Sequence, residues 1–296
     1  MKTTLNVFII IAGLSITLSS CKLSSRDGAA ENADSISLYD MEPLVHDIDT
    51  QGVGLPIFYN MYLSVDMSSL FKSSGAVFKS ELLNSTDRIA GYNTSSKKAL
   101  NLGIYAVDLS YARVSEQLEK AGIYFNAMQR LAEELGIPAE FFKNTADRFD
   151  RNIDNKDSLI SIANEVYMAS DEYLRENERY SASAQMILGG WIEAIHIASD
   201  VALSTKDIDV MERLAEQRVS LDNVLTMLDD YAEDAVISQN IIKLEQLKKV
   251  FDSFVVNVGS DFDPASPQGK KLLESYTAKI RQIENQVSQI RDGMIS

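Results

Sequence analysis

Seven apolar side chains near the end of the chain, Leu273, Tyr276, Ile280, Ile283, Val287, Ile290 and Met294, follow one another at spacings of 3, 4, 3, 4, 3 and 4. Only an α-helix gathers such residues on one side, because its 3.6-residue turn returns to the same face every three or four positions. The stripe is one seam wide. It predicts a helix over residues 267–293 that packs along a bundle in preference to a coiled coil with a partner, since packed bundles use the same geometry. No segment alternates convincingly with period two, and five prolines and fourteen glycines are few for 296 residues. That scarcity suits long helices better than many short strands. The expected fold class is all-α, a multi-helix bundle.

Further helices are read in the same way. Pro56 suits a first helical turn in "GVGLPIFYNMYLSVDMSSLF", and a short helical piece follows around Val77–Leu83. Capping residues around Asn93–Ser96 open a helix with Leu100, Ile104, Val107 and Tyr111 on one face. Gly122 is read as its separator from "YFNAMQRLAEELG", which Gly136 closes, and Pro138 as the start of the next helix. Helices are then expected over 157–178, 181–203, 207–230 and 236–257, with "GSDFDPASPQG" as the last break.

Two stretches resemble each other, "LGIYAVDLSYA" at 102–112 and "LGGWIEAIHIA" at 188–198, and "MQRLAEE" at 128–134 is echoed by "MERLAEQ" at 211–217. The offsets are 86 and 83 residues, and a shared offset is the mark of duplication. Two pseudo-symmetric repeats, about 93–178 and 179–258, are therefore expected, with a ligand groove between them. The residues placed in that groove are Tyr105, Asp108, Tyr111, Trp191, Glu193 and His196. The competing reading is that aromatics at helical spacing are core.

The only cysteine, Cys21, can form neither an intrachain disulfide nor a zinc site alone. Ahead of it stand Lys2, the apolar run "LNVFIIIAGLSITL" and small residues, the order of a secretory signal, in a run too short for a comfortable membrane span. Leu18-Ser19-Ser20-Cys21 resembles the lipobox of bacterial lipoproteins. The resemblance implies cleavage after residue 20 and acylation of Cys21 by fatty chains such as palmitate. At about 0.8 kcal/mol per buried CH₂, several chains make such an anchor effectively permanent. Lys22 follows, where members of that family retained in the inner membrane commonly carry aspartate, so the resemblance favours the outer membrane. It leaves open which face the protein occupies. Residues 21–50, rich in Ser, Ala, Asn and Asp, read as a flexible tether, and 51–296 as one helical domain.

The formal charge of −15 argues against nucleic acid, whose binding needs Lys and Arg on phosphates, and against adhesion to anionic lipid through a basic patch. Glu193-Ala-Ile-His196 has the Glu-x-x-His spacing of di-iron bundles, but the other histidine, His46, lies in the tether and no second pair exists. "DRNIDNKDSLIS" at 150–161 opens like a calcium loop, with Asp150, Asn152 and Asp154 as candidate ligands. Asn155 and Ser161 stand where such a loop needs Gly and a bidentate Glu, so a capped turn is the competing reading. The apolar segment 181–203 reads as a central buried helix, because Glu193, His196 and Asp200 interrupt it as a membrane span.

The body also loosely resembles uncharacterised all-helical lipoproteins of Gram-negative envelopes, through "KKALNLGIYAVDLSYA" and "GGWIEAIHIASD". That resemblance implies a fold and no activity. The expectation is a non-catalytic, lipid-anchored module without a cofactor that binds an envelope protein. The alternative is an ion- or small-molecule-binding sensor using the groove.

Overall fold

The computed structural model describes residues 71, 73–142, 145, 148–149, 151, 156–259 and 262–296. Among these the chain is all-α and no strand forms. The readings placed on the signal segment, the tether, the Pro56 helix and the loop at Asp150, Asn152 and Asp154 lie outside the described residues.

Helix α1 runs Ser95–Val114, its N-cap Thr94 accepting the Lys97 N–H at 3.1 Å. Helix α2 runs Leu118–Glu134 and passes straight through Gly122, so that glycine separates nothing. The break falls earlier, at Glu116. This residue takes a positive φ of 60°, and the next N–H, of Gln117, reaches back to the Ala112 carbonyl at 2.8 Å. Gly136, at φ 84°, closes α2 as expected. Pro138 leads into a short 3-10 turn, Ala139–Phe141.

Helices α3 (Lys156–Glu176), α4 (Tyr180–Thr205), α5 (Ile208–Asp229), α6 (Ala235–Asp252) and α7 (Pro267–Ile295) follow. Helix α6 stops five residues short of its expected end. From Phe254 to Val258 the chain lies outside any helix and its burial alternates, with Phe254 buried, Val255 exposed and Val256 half-buried. This is the period-two stretch that helical reading passed over. Phe254 lies edge-on to Tyr276, centroids 6.3 Å apart, which fixes α7 to this connection.

Helices α1 and α4 form the centre. Both are buried on nearly every side, as a helix must be when it is apolar or small all round. Helix α2 packs on α1; α5 and α7 pack on α4; α6 packs on α5 and α7. The stripe on α7 turns inward, with Tyr276, Ile280, Ile283, Val287, Ile290 and Met294 buried and Leu273 half-buried. Each fully buried aliphatic contributes about 1.5–3 kcal/mol.

Where α1 meets α4 the main chains touch. A Cβ on Gly103 would lie 1.9 Å from the Met186 carbonyl oxygen, and one on Gly189 would lie 2.0 Å from that of Leu100. The contact is reciprocal. Gly103 with Gly189, and Leu100 with Met186, share the 86-residue offset read from the sequence, so the two helices meet about a local two-fold relation. The second echo is out of register, because Met128 lies mid-way along α2 and Met211 in the first turn of α5.

Candidate functional site

The polar residues picked out on α1 and α4 converge on one segment of main chain. Residues 78–85 form a strap of irregular backbone and a single 3-10 turn, Ser80–Leu82, laid against the core. Buried backbone without helix or ladder partners needs side chains to take its N–H and C=O groups. Tyr111 accepts the Lys79 N–H at 3.1 Å and its ring packs on Phe78 with centroids 5.2 Å apart. Asp108 Oδ2 accepts the Asn84 N–H at 3.1 Å, while Tyr124 donates to the Asn84 carbonyl at 3.1 Å and Tyr105 to that of Ser85 at 3.0 Å. Arg291 Nη2 donates to the Leu82 carbonyl at 2.8 Å. The Asn84 side chain donates to Tyr92 and to Asn101, and Asn101 donates to the Lys97 and Met294 carbonyls. Outside the core, Lys79 Nζ pairs with Asp200 at 2.6 Å.

The charges in this cluster balance. Arg291 holds Glu193 through two N–H groups, Nε to Oε2 and Nη2 to Oε1, the latter at 2.7 Å. Asp108 is buried beside Glu193, and two carboxyl groups this close and this dry do not both ionise. Burial first, and then the charge of Glu193, push the Asp108 carboxyl well above the usual carboxylate range, against the opposing pull of Arg291 and the Asn84 N–H. The proton therefore stays on Asp108. One neutral carboxyl, one carboxylate and one guanidinium remain, a set without net charge, as burial demands. Burial likewise raises the Tyr105 and Tyr124 phenols, which stay protonated as donors.

The other two expected groove residues stand apart from this network. Trp191 is fully buried with its ring 6.4 Å from that of Phe251. His196, one turn beyond Glu193, is half-buried, and burial pulls its pKa below the ordinary value. Neither Trp191 Nε1 nor His196 Nδ1 has a hydrogen-bond partner among the described residues. Among those residues, Glu193 and His196 belong to no cluster of three or more His, Cys, Asp or Glu able to hold a metal.

The expected groove between the repeats is thus corrected. Helices α1 and α4 touch backbone to backbone, which leaves no room between them for a ligand, and Tyr105, Asp108 and Tyr111 hold the chain's own strap. Asp108 and Glu193 are both fully buried. The cluster can store and share a proton, and its two carboxyl groups are closed to bulk solvent. Sequence reasoning missed Asn84, Tyr124 and Arg291. Arg291 directly follows Ile290 of the apolar stripe, where a charge against a seam was the available signal.

Helix α4 is the one helix among the described residues long and apolar enough to cross a membrane by length and composition, and 78% of its most apolar window is buried inside the protein. No family model, curated protein or solved structure matches the chain.

Proposed function

We propose that this protein is a non-catalytic helical lipoprotein, anchored through acylated Cys21 to the outer membrane, that acts by binding another protein of the cell envelope. The anchor rests on Leu18-Ser19-Ser20-Cys21 and the apolar run before it. The non-catalytic part rests on the spending of Asp108, Glu193, Tyr105 and Tyr111 on the protein's own backbone and on Arg291. A helical body that buries its acid–base groups offers partners its outer surface, and here that surface is strongly acidic.

The test is Cys21→Ala in the native host, followed by detergent phase partition and intact mass. Wild type partitions with detergent and carries acyl mass, and the variant does neither. An unchanged acyl mass in the variant removes the anchor. Crosslinking in cells tests the partner, and recovery of no crosslinked protein removes that half of the reading.

A further inference from the structure

On the outer side of α7 the acidic character of the molecule reverses. A surface groove of about 430 Å³ runs between the end of α4 and the first half of α7, lined by Lys206, Lys270, Leu273, Glu274, Thr277 and Arg281 among others. Three of these side chains are cations and one is an acid, in a chain of net charge −15. Lys206, Lys270 and Arg281 are exposed, and none of them is paired with a carboxylate among the described residues. Several other cations are matched, Lys79 with Asp200, Lys98 with Glu134, Arg175 with Asp171 and Lys248 with Asp222 and Asp252.

We propose that this groove receives an extended acidic segment of a partner protein, an inference that rests on the partner-binding reading above. Charge and dimensions argue for that occupant. Three cations gathered around the single carboxylate of Glu274 leave an excess of positive charge, and an anionic guest relieves their repulsion. From Lys270 to Arg281 the α7 face is about 16 Å long at roughly 1.5 Å per residue. That length matches about five residues of extended chain at roughly 3.3 Å each, and exceeds what a single phosphate or carboxylate can bridge. Leu273, the one member of the apolar stripe left half-buried, gives the groove an apolar floor for a side chain between the acids. The net charge of −15 repels the same segment over the molecule as a whole, which favours docking at this groove.

The experiment uses the full chain in detergent micelles and a fluorescein-labelled hexaglutamate peptide, read by fluorescence anisotropy. Binding is expected at low salt, and the Lys270→Glu, Arg281→Glu double variant should weaken it at least tenfold with an unchanged melting temperature. Equal binding by that variant, or none by wild type, overturns the proposal. In cells, a photo-crosslinking residue at Thr277 should attach to an acidic segment of a protein, and attachment only to lipid overturns it. Probes at the exposed Val219 and Ile242 separate the two readings. Protein adducts there but not at Thr277 leave the partner-binding reading standing and remove the groove, whereas no protein adduct at any position removes both.

Discussion

Gly189 of α4 lies so close to Leu100 of α1 that a Cβ on the glycine would stand 2.0 Å from the leucine carbonyl oxygen. The obstruction is main chain in the middle of a helix, which cannot rotate aside. Gly189→Ala and Gly103→Ala should each cost about 3 kcal/mol, read as a lower urea midpoint at constant slope. Gly122→Ala is the control. Its Cβ would meet Phe149 at an ordinary 3.7 Å inside α2, so that variant should gain up to about 1 kcal/mol of helix propensity. Combining the two central alanines should cost less than the sum, because the first already pushes the helices apart. A Gly189→Ala protein as stable as the Gly122→Ala protein would contradict the contact.

Asp108→Asn should be tolerated within about 1 kcal/mol. The amide keeps an oxygen to accept the Asn84 N–H and, like the neutral acid, puts no second negative charge beside Glu193. Arg291→Met strands Glu193 as a buried carboxylate and should cost about 3–5 kcal/mol. Urea unfolding of both variants ranks them, and the reverse order would place the proton elsewhere.

Asp108 also sets a pH dependence. Its folded pKa is raised, so the folded state keeps a proton that the unfolded chain releases near the ordinary value of about 3.9. This stabilisation is complete below that pH and is lost as pH rises toward the folded pKa, at about 1.4 kcal/mol per pH unit for one proton. His196 acts in the opposite direction, since its lowered folded pKa makes acid below about 6.5 destabilising. Subtracting the pH profile of Asp108→Asn from that of wild type isolates the first effect. A flat difference from pH 4 upward would show Asp108 ionised in the fold.

Asp234 caps α6 through the N–H groups of Val236 and Ile237 and accepts from Ser181 and Gln185 of α4. Burial raises its pKa, but these four hydrogen bonds outweigh burial and the net shift is downward. Asp234→Ala should lose about 1–2 kcal/mol at neutral pH. The loss should shrink as pH falls below about 3.9, where the carboxylate of the unfolded chain takes up its proton while the folded one still resists it. Thermal melts at pH 7 and pH 3 give the comparison.

The helices were legible because each carries a periodic apolar face and chemical punctuation: Thr94 opens α1, Asp207 opens α5, Ser266 with Pro267 opens α7 and Gly136 closes α2. The break at Glu116 was hidden, since nothing in a glutamate announces a positive φ, and Glu178 and Lys206 use the same device. The candidate site was half legible. Asp108, Tyr105, Tyr111 and Glu193 were chosen as polar and aromatic groups within apolar helices, and most of them meet. Their occupant was not legible, because Leu82, Asn84 and Ser85 belong to an aperiodic stretch and Arg291 lies 209 residues beyond Leu82. Periodicity reports which face is buried, not which distant main chain will lie against it.

The position of Arg291 along the chain governs when the protein can close. Synthesis delivers the strap, α1 and α4 first, and Glu193 then waits 98 residues for the cation that lets it leave water. Without α7 that carboxylate would be buried unpaired, at a cost of about 3–5 kcal/mol. Helix α7 is in effect a clasp: its last turn is tied through Met294 to Asn101 and through Ile295 to Arg88, so residues far along the chain close over the segment that was made first.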